Sequence, residues 1–166
     1  MFEDQSQDEN IIGKPHGKRI GRELAMAFLF SCEMRNEVPG AQLFENFMSA
    51  ARQEYSQANS RIIRRAEEYA VKLYTEVALH QEDIDAVLTP LCVNWDWKRL
   101  SGVARTIMRV AVAEMLYFED VPPVVSIDEA VEIARDFSGC EDGNFINGVL
   151  NAAKNNLLSA GKTGAK

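Results

Sequence analysis

The sequence predicts an all-α fold, a single-domain helical bundle of about six or seven helices. Three observations carry that prediction. Apolar residues recur at three-and-four spacing through most of the chain from Lys18 onward, which places them on one face of successive helices. No segment combines sustained strand alternation with turn chemistry, and no repeat has a fixed period. A length of 166 residues with 46% apolar content suffices for one well-buried core and is short for two.

Residues 1–17 carry Glu3, Asp4, Asp8 and Glu9, then Gly13, Pro15 and Gly17, and read as a flexible acidic N-terminal tail. Residues 159–166 read as a flexible C-terminal tail, leaving 18–158 as the helical domain. From Lys18, the residues Leu24, Ala25, Phe28, Leu29 and Cys32 share a face, and Pro39 with Gly40 ends that helix. A second amphipathic stretch carries Leu43, Phe44, Phe47 and Met48 to about Tyr55. A third, from Ser60, turns Ile62, Ile63, Ala66, Tyr69, Ala70, Leu73, Tyr74 and Val77 inward and leaves Arg61, Arg64, Arg65, Glu67 and Glu68 outside.

A shorter helix is expected around Glu82 to Leu91. The following Asn94-Trp95-Asp96-Trp97 offers asparagine and aspartate as caps for a helix with core face Leu100, Val103, Ile107, Val110, Ala111 and Met115. Pro122 and Pro123 stop it. Ser126-Ile127-Asp128-Glu129 has the form of a capping box, opening a helix with Ala130, Ile133, Ala134 and Phe137. After Ser138-Gly139, the residues Cys140, Glu141, Asp142 and Gly143 lead into a last helix carrying Phe145, Ile146, Val149, Leu150 and Ala153.

The formal charge of -7 repels phosphate, so any nucleic-acid site must be a local basic patch on an acidic body. Cys32, Cys92 and Cys140 are odd in number, far apart and never in a CxxC pair, which suggests reduced packing residues rather than a disulfide framework or zinc site. His16 and His80 lack metal-ligand spacing, and no nucleophile and base converge, so neither an enzyme nor a cofactor or metal is expected. With no signal-peptide pattern and no apolar run of bilayer length, the expected compartment is the cytoplasm, without a membrane.

Residues 122–137, Pro-Pro-Val-Val-Ser-Ile-Asp-Glu-Ala-Val-Glu-Ile-Ala-Arg-Asp-Phe, and residues 144–151, Asn-Phe-Ile-Asn-Gly-Val-Leu-Asn, resemble the C-terminal signature of the NusB family. Two further stretches agree, the arginine-containing segment 99–115 and the basic opening 18–30. The resemblance spans about Lys18 to Leu157. It implies an all-helical fold and transcription antitermination without catalysis. Family members bind the boxA element of nascent ribosomal RNA transcripts together with NusE, a small-subunit ribosomal protein, and join RNA polymerase with other Nus factors.

Lys18, Arg19 and Arg22 fall in the first turns of the opening helix, where the dipole disfavours basic side chains. The same place suits an RNA phosphate, and the resemblance puts RNA there; Lys14 and His16, in the flexible lead-in that can order on a nucleic acid, are candidates to extend the patch. Phe145 has the chemistry either to stack on a base or to fill a partner pocket, whereas Glu141 and Asp142 repel RNA and attract a basic protein. The resemblance assigns Phe145 and this acidic loop to a joint RNA and NusE edge. Gly148 in mid-helix suggests a close helix crossing, with Asn147 bonding to nearby backbone. Arg105 and Arg109 either pair with carboxylates such as Glu114 or Asp128 or form a cationic edge, and Trp95 and Trp97 read as packing at the bundle end. The alternative from another class is a helical protein adaptor or homodimer without RNA binding, in which Phe145 is the anchor.

Overall fold

Two helices form the spine of the bundle in the computed structural model of the chain, which describes residues 17–57 and 59–162: α1 (Gly17–Arg35) and the longer α3 (Ser60–Leu88). Between them in sequence lies α2 (Ala41–Glu54). After α3 come α4 (Gly102–Tyr117), α5 (Pro123–Phe137) and α6 (Cys140–Ser159), with single 3₁₀ turns at Thr89–Leu91 and Trp97–Arg99. The described residues contain no strand. α1 packs mainly on α3, α4 sits against α3, α5 and α1, and α5 lies along α6. Residues 1–16 of the predicted N-terminal tail, with Lys14 and His16, and residues 163–166 of the C-terminal one lie outside the described residues.

Three expected boundaries are corrected. The helix predicted at Glu82 to Leu91 is the continuation of α3, interrupted only by non-helical angles at His80 (φ −121°, ψ 22°). α4 is capped by Ser101, whose Oγ accepts from the Ala104 amide at 3.0 Å, while Asp96 caps the preceding 3₁₀ turn through the Lys98 amide, also at 3.0 Å. The capping box at Ser126 and Glu129 does not form. Pro123 at the first helical position, with its fixed φ, starts α5 one turn earlier. Ser126 is thereby carried into the helix and buried.

One continuous core joins the helices. α2 contributes only Phe44 and Met48 as buried residues, and its place is set by an aromatic cluster. The Phe28 ring lies 5.1 Å from Phe44, 5.6 Å from Phe47 and 4.9 Å from Tyr74, in edge-on and tilted contacts that suit opposed ring quadrupoles. Cys32 and Cys92 are buried, and burial pushes both thiols up.

The close helix crossing is at Gly21 and not, as expected, at Gly148. A Cβ at Gly21 would lie 2.9 Å from the Ala66 carbonyl oxygen and 3.0 Å from Tyr69 Cβ, so α1 and α3 touch backbone to backbone there. Gly148 is exposed with no atom within 4 Å of such a Cβ. Asn147 is exposed too, and its carbonyl and Oδ1 accept from Asn151 Nδ2 at 2.9 and 3.1 Å. Gly21→Ala is therefore expected to destabilise by about 1–3 kcal/mol despite alanine's better helix propensity. Gly148→Ala is expected to stabilise by about 1 kcal/mol. Urea titrations of the two variants check this, and equal shifts in both would refute the assigned crossing.

Candidate nucleic-acid interface

The first turns of α1 place Lys18, Arg19 and Arg22 side by side in sequence, but the fold gives them three different surroundings. Arg22 points into the core. Its Nε donates to Glu114 Oε1 and Oε2 at 3.1 and 2.9 Å, and Glu114 is 1% exposed. The same carboxylate accepts from Ser126 Oγ at 2.6 Å and from the Tyr69 hydroxyl. Burial, followed by the charge of Glu114 and this hydrogen bond, raises the Tyr69 phenol far above its usual range. α1, α3, α4 and α5 thus each supply one member of a buried polar network, and no buried side-chain polar atom among the described residues lacks a partner.

Arg19 stays near the surface with its side chain only 12% exposed. Its Nε donates to Glu23 at 2.8 Å, Nη1 to Glu132 at 2.8 Å and Glu129 at 3.3 Å, and Nη2 to Asp136 at 2.9 Å. One guanidinium therefore faces four carboxylates, three of them on α5. The expectation that Arg19 and Arg22 present free guanidinium forks to phosphate meets a different geometry: both forks are already engaged by carboxylates. Lys18 is the open member of the trio, half-exposed, with Nζ 3.0 Å from Asp120 Oδ2 and 5.5 Å from the Tyr69 ring centre. The Lys18 ammonium holds the Asp120 carboxyl below its usual range.

A cleft of about 520 Å³ opens between the start of α1 and the outer face of α3, where Lys18, Arg65, Tyr69 and Lys72 line it. Arg65 and Lys72 are exposed, and among the described residues neither has an ion pair within 4 Å. Sequence reading left Arg65 on a solvated helix face and passed over Lys72. The available signal was their separation of seven residues, two helical turns, which returns both to one side of α3.

The second predicted cluster lies at the start of α6. Phe145 is half-buried against the core, and its ring centre is 5.6 Å from that of Trp95, which is 61% exposed. Trp95 is therefore an outward aromatic surface rather than packing. Trp97 does pack, beneath the Arg109 guanidinium at 5.4 Å. Asp142 is partly exposed, and Glu141 falls in the same helical turn. Gly143 lets Arg135 lie across this turn, since a Cβ there would come within 3.1 Å of Arg135 Cγ.

Arg105 and Arg109 pair with carboxylates as one reading expected, but not with Glu114 or Asp128. Arg109 grips Asp85 with Nε and Nη2 at 2.8 and 2.9 Å and reaches Glu33 at 3.2 Å. Arg105 donates to Glu33 and to the Trp97 and Leu100 carbonyls. The two tie the C-terminal end of α1 to α4 and to the last turns of α3. Among the described residues no group of His, Cys, Asp and Glu is arranged to hold a metal, and no helix is long and apolar enough to cross a membrane.

Comparison with known proteins places this arrangement among relatives. The family model described as NusB family matches residues 19–155. A transcription antitermination protein NusB from Chloroherpeton thalassium is 35% identical over 148 residues, covering 87% of this chain, and the chain spans 64% of that protein's length. One from Desulfotalea psychrophila is 38% identical over 142 residues, covering 82% of this chain and 94% of the relative. A solved structure described as antitermination factors NusB and NusE in complex with double-stranded RNA contains a chain 27% identical to this one. That chain superposes with a TM-score of 0.70 over 84% of this chain and 97% of its own.

Proposed function

The chain belongs to the NusB family, and from that premise we propose that it is a transcription antitermination factor that binds boxA-type RNA of nascent ribosomal transcripts together with NusE. The observation that carries this reading is the matched fold of a relative solved with NusE and RNA. In this role the protein acts in the cytoplasm within an RNA polymerase complex containing other Nus factors, and it catalyses nothing. Lys18, with Lys14 and His16 ahead of it, contributes to the RNA side. Arg19 and Arg22 act there by holding α1 in place through their carboxylates. Phe145 stands between RNA and partner, and Glu141 and Asp142 favour the basic protein.

A fluorescence titration of labelled boxA RNA against a scrambled RNA, with and without NusE, tests the proposal. Preference for boxA that strengthens when NusE is added is the expected result. Binding to neither RNA in either condition would overturn it. NusE association without RNA would leave the adaptor reading, which the neutralised state of Arg19 and Arg22 favours.

A further inference from the structure

The cleft between α1 and α3 contains cationic charge that the fold does not use. Its carboxylates are committed: Glu68 pairs with Arg64, Glu129 with Arg19 and Arg22, and the nearby Asp120 with Lys18. Lys72 lies near enough to Asp120 to help hold that carboxyl down but makes no ion pair with it within 4 Å. Arg65 Cβ stands 3.5 Å from where a Cβ on Gly17 would lie, so Arg65 sits against the first residue of α1, next in sequence to Lys18. Of the five cations that line the cleft, Arg19 and Arg22 are held by Glu129 and other carboxylates and Lys18 shares the nearby Asp120, which leaves Arg65 and Lys72 without an ion pair within 4 Å among the described residues.

We propose that this cleft is the RNA-backbone site, with Arg65 and Lys72 of α3, beside Lys18, as its phosphate ligands. This inference rests on the RNA-binding reading above and deepens it by moving the phosphate contacts from Arg19 and Arg22 to α3. Arg65 and Lys72 stand two turns apart on one helix, about 10 Å along its axis, so they address different phosphates of one strand. A repeating anion fits unpaired cations better than a protein surface does, because no complementary acceptor is needed beyond the phosphates themselves. The opposite side of Arg19 is walled by Glu132 and Asp136, which confines a polyanion to the α3 side.

The test compares wild type with the Arg65→Ala, Lys72→Ala double variant, binding boxA RNA and scrambled RNA across a salt series. Both side chains are exposed, so the thermal midpoint should stay within a degree or two. Each phosphate contact to single-stranded RNA contributes about 0.7 to the slope of log affinity on log salt, so the slope should fall by about 1.4. The loss should be equal for both RNAs, because phosphate contacts carry no sequence information. A control with the same charge change at Arg35, the last residue of α1, and at Lys162, past the end of α6, Arg35→Ala with Lys162→Ala, should keep the wild-type slope. An unchanged slope in the α3 variant, or an equal fall in the control, overturns the cleft while leaving RNA binding by the protein intact. Wild-type protein that binds neither RNA would instead sink the functional reading itself, and the cleft with it.

Discussion

Replacing Glu114 with alanine is expected to lower stability by about 3–5 kcal/mol, because it removes the bidentate partner of the buried Arg22 guanidinium and leaves it only the longer contact to Glu129 at 3.7 Å. For a domain of this length that corresponds to a fall in thermal midpoint on the order of 10 °C. The loss extends beyond one ion pair. Tyr69 and Ser126 donate to the same carboxylate, so three donors from three other helices lose their acceptor together. Replacing both charged partners by apolar residues of similar volume, Arg22→Met with Glu114→Leu, should restore the part of the midpoint lost to the buried charge, while the Tyr69 and Ser126 hydroxyls stay without their acceptor. Thermal melts of the single and double variants decide the matter, and a Glu114→Ala midpoint within two or three degrees of wild type would refute the account. The result also bears on RNA assays, because loss of binding in Arg22→Ala would reflect a displaced α1 rather than a missing phosphate contact.

The second large effect is expected at Phe28→Ala, also about 3–5 kcal/mol, from lost transfer free energy plus the cavity left behind. Phe28 is 1% exposed and touches the rings of Phe44, Phe47 and Tyr74. Since α2 buries only two residues completely, Phe28 is the post to which it is tied, and its removal should loosen α2 before the rest of the bundle. Hydrogen exchange should then show faster amide exchange in α2 than in α3 or α4. Uniform acceleration across all the helices would argue against that weak link, and an unchanged midpoint would argue against the cluster.

Local periodicity found the helices because their core faces are written into three-and-four spacing: Leu24, Phe28 and Cys32 in α1, and Ile63, Ala66, Tyr69, Ala70 and Leu73 in α3, are all buried as the pattern requires. It failed where two local signals competed. Ser126 and Glu129 satisfied the form of a cap, yet Pro123 with its fixed φ started the helix first. Around His80 the reading erred the other way, splitting one helix into two, whereas a single residue with non-helical angles leaves the apolar face of α3 continuous. The functional surface was harder to read. Arg22 and Glu114 are 92 positions apart, and Arg19 meets carboxylates 110 to 117 positions away. A basic cluster at a helix start therefore looked free when the sequence was read along its length. Arg65 and Lys72 were passed over because an exposed cation on an amphipathic helix looks the same whether its neighbour is solvent or a cleft.

The crowding of four carboxylates around Arg19 has a thermodynamic corollary. That flank of α1 and α5 carries surplus negative potential a short distance from the cationic cleft, so a polyanion bound in the cleft works against a standing repulsion. A basic protein seated on the α5 flank would cancel that repulsion without moving an atom of the bundle. The two ligands would then be coupled through the electrostatic field alone. By linkage, the factor by which the protein tightens the polyanion must equal the factor by which the polyanion tightens the protein, and both factors should shrink together as salt shortens the screening length.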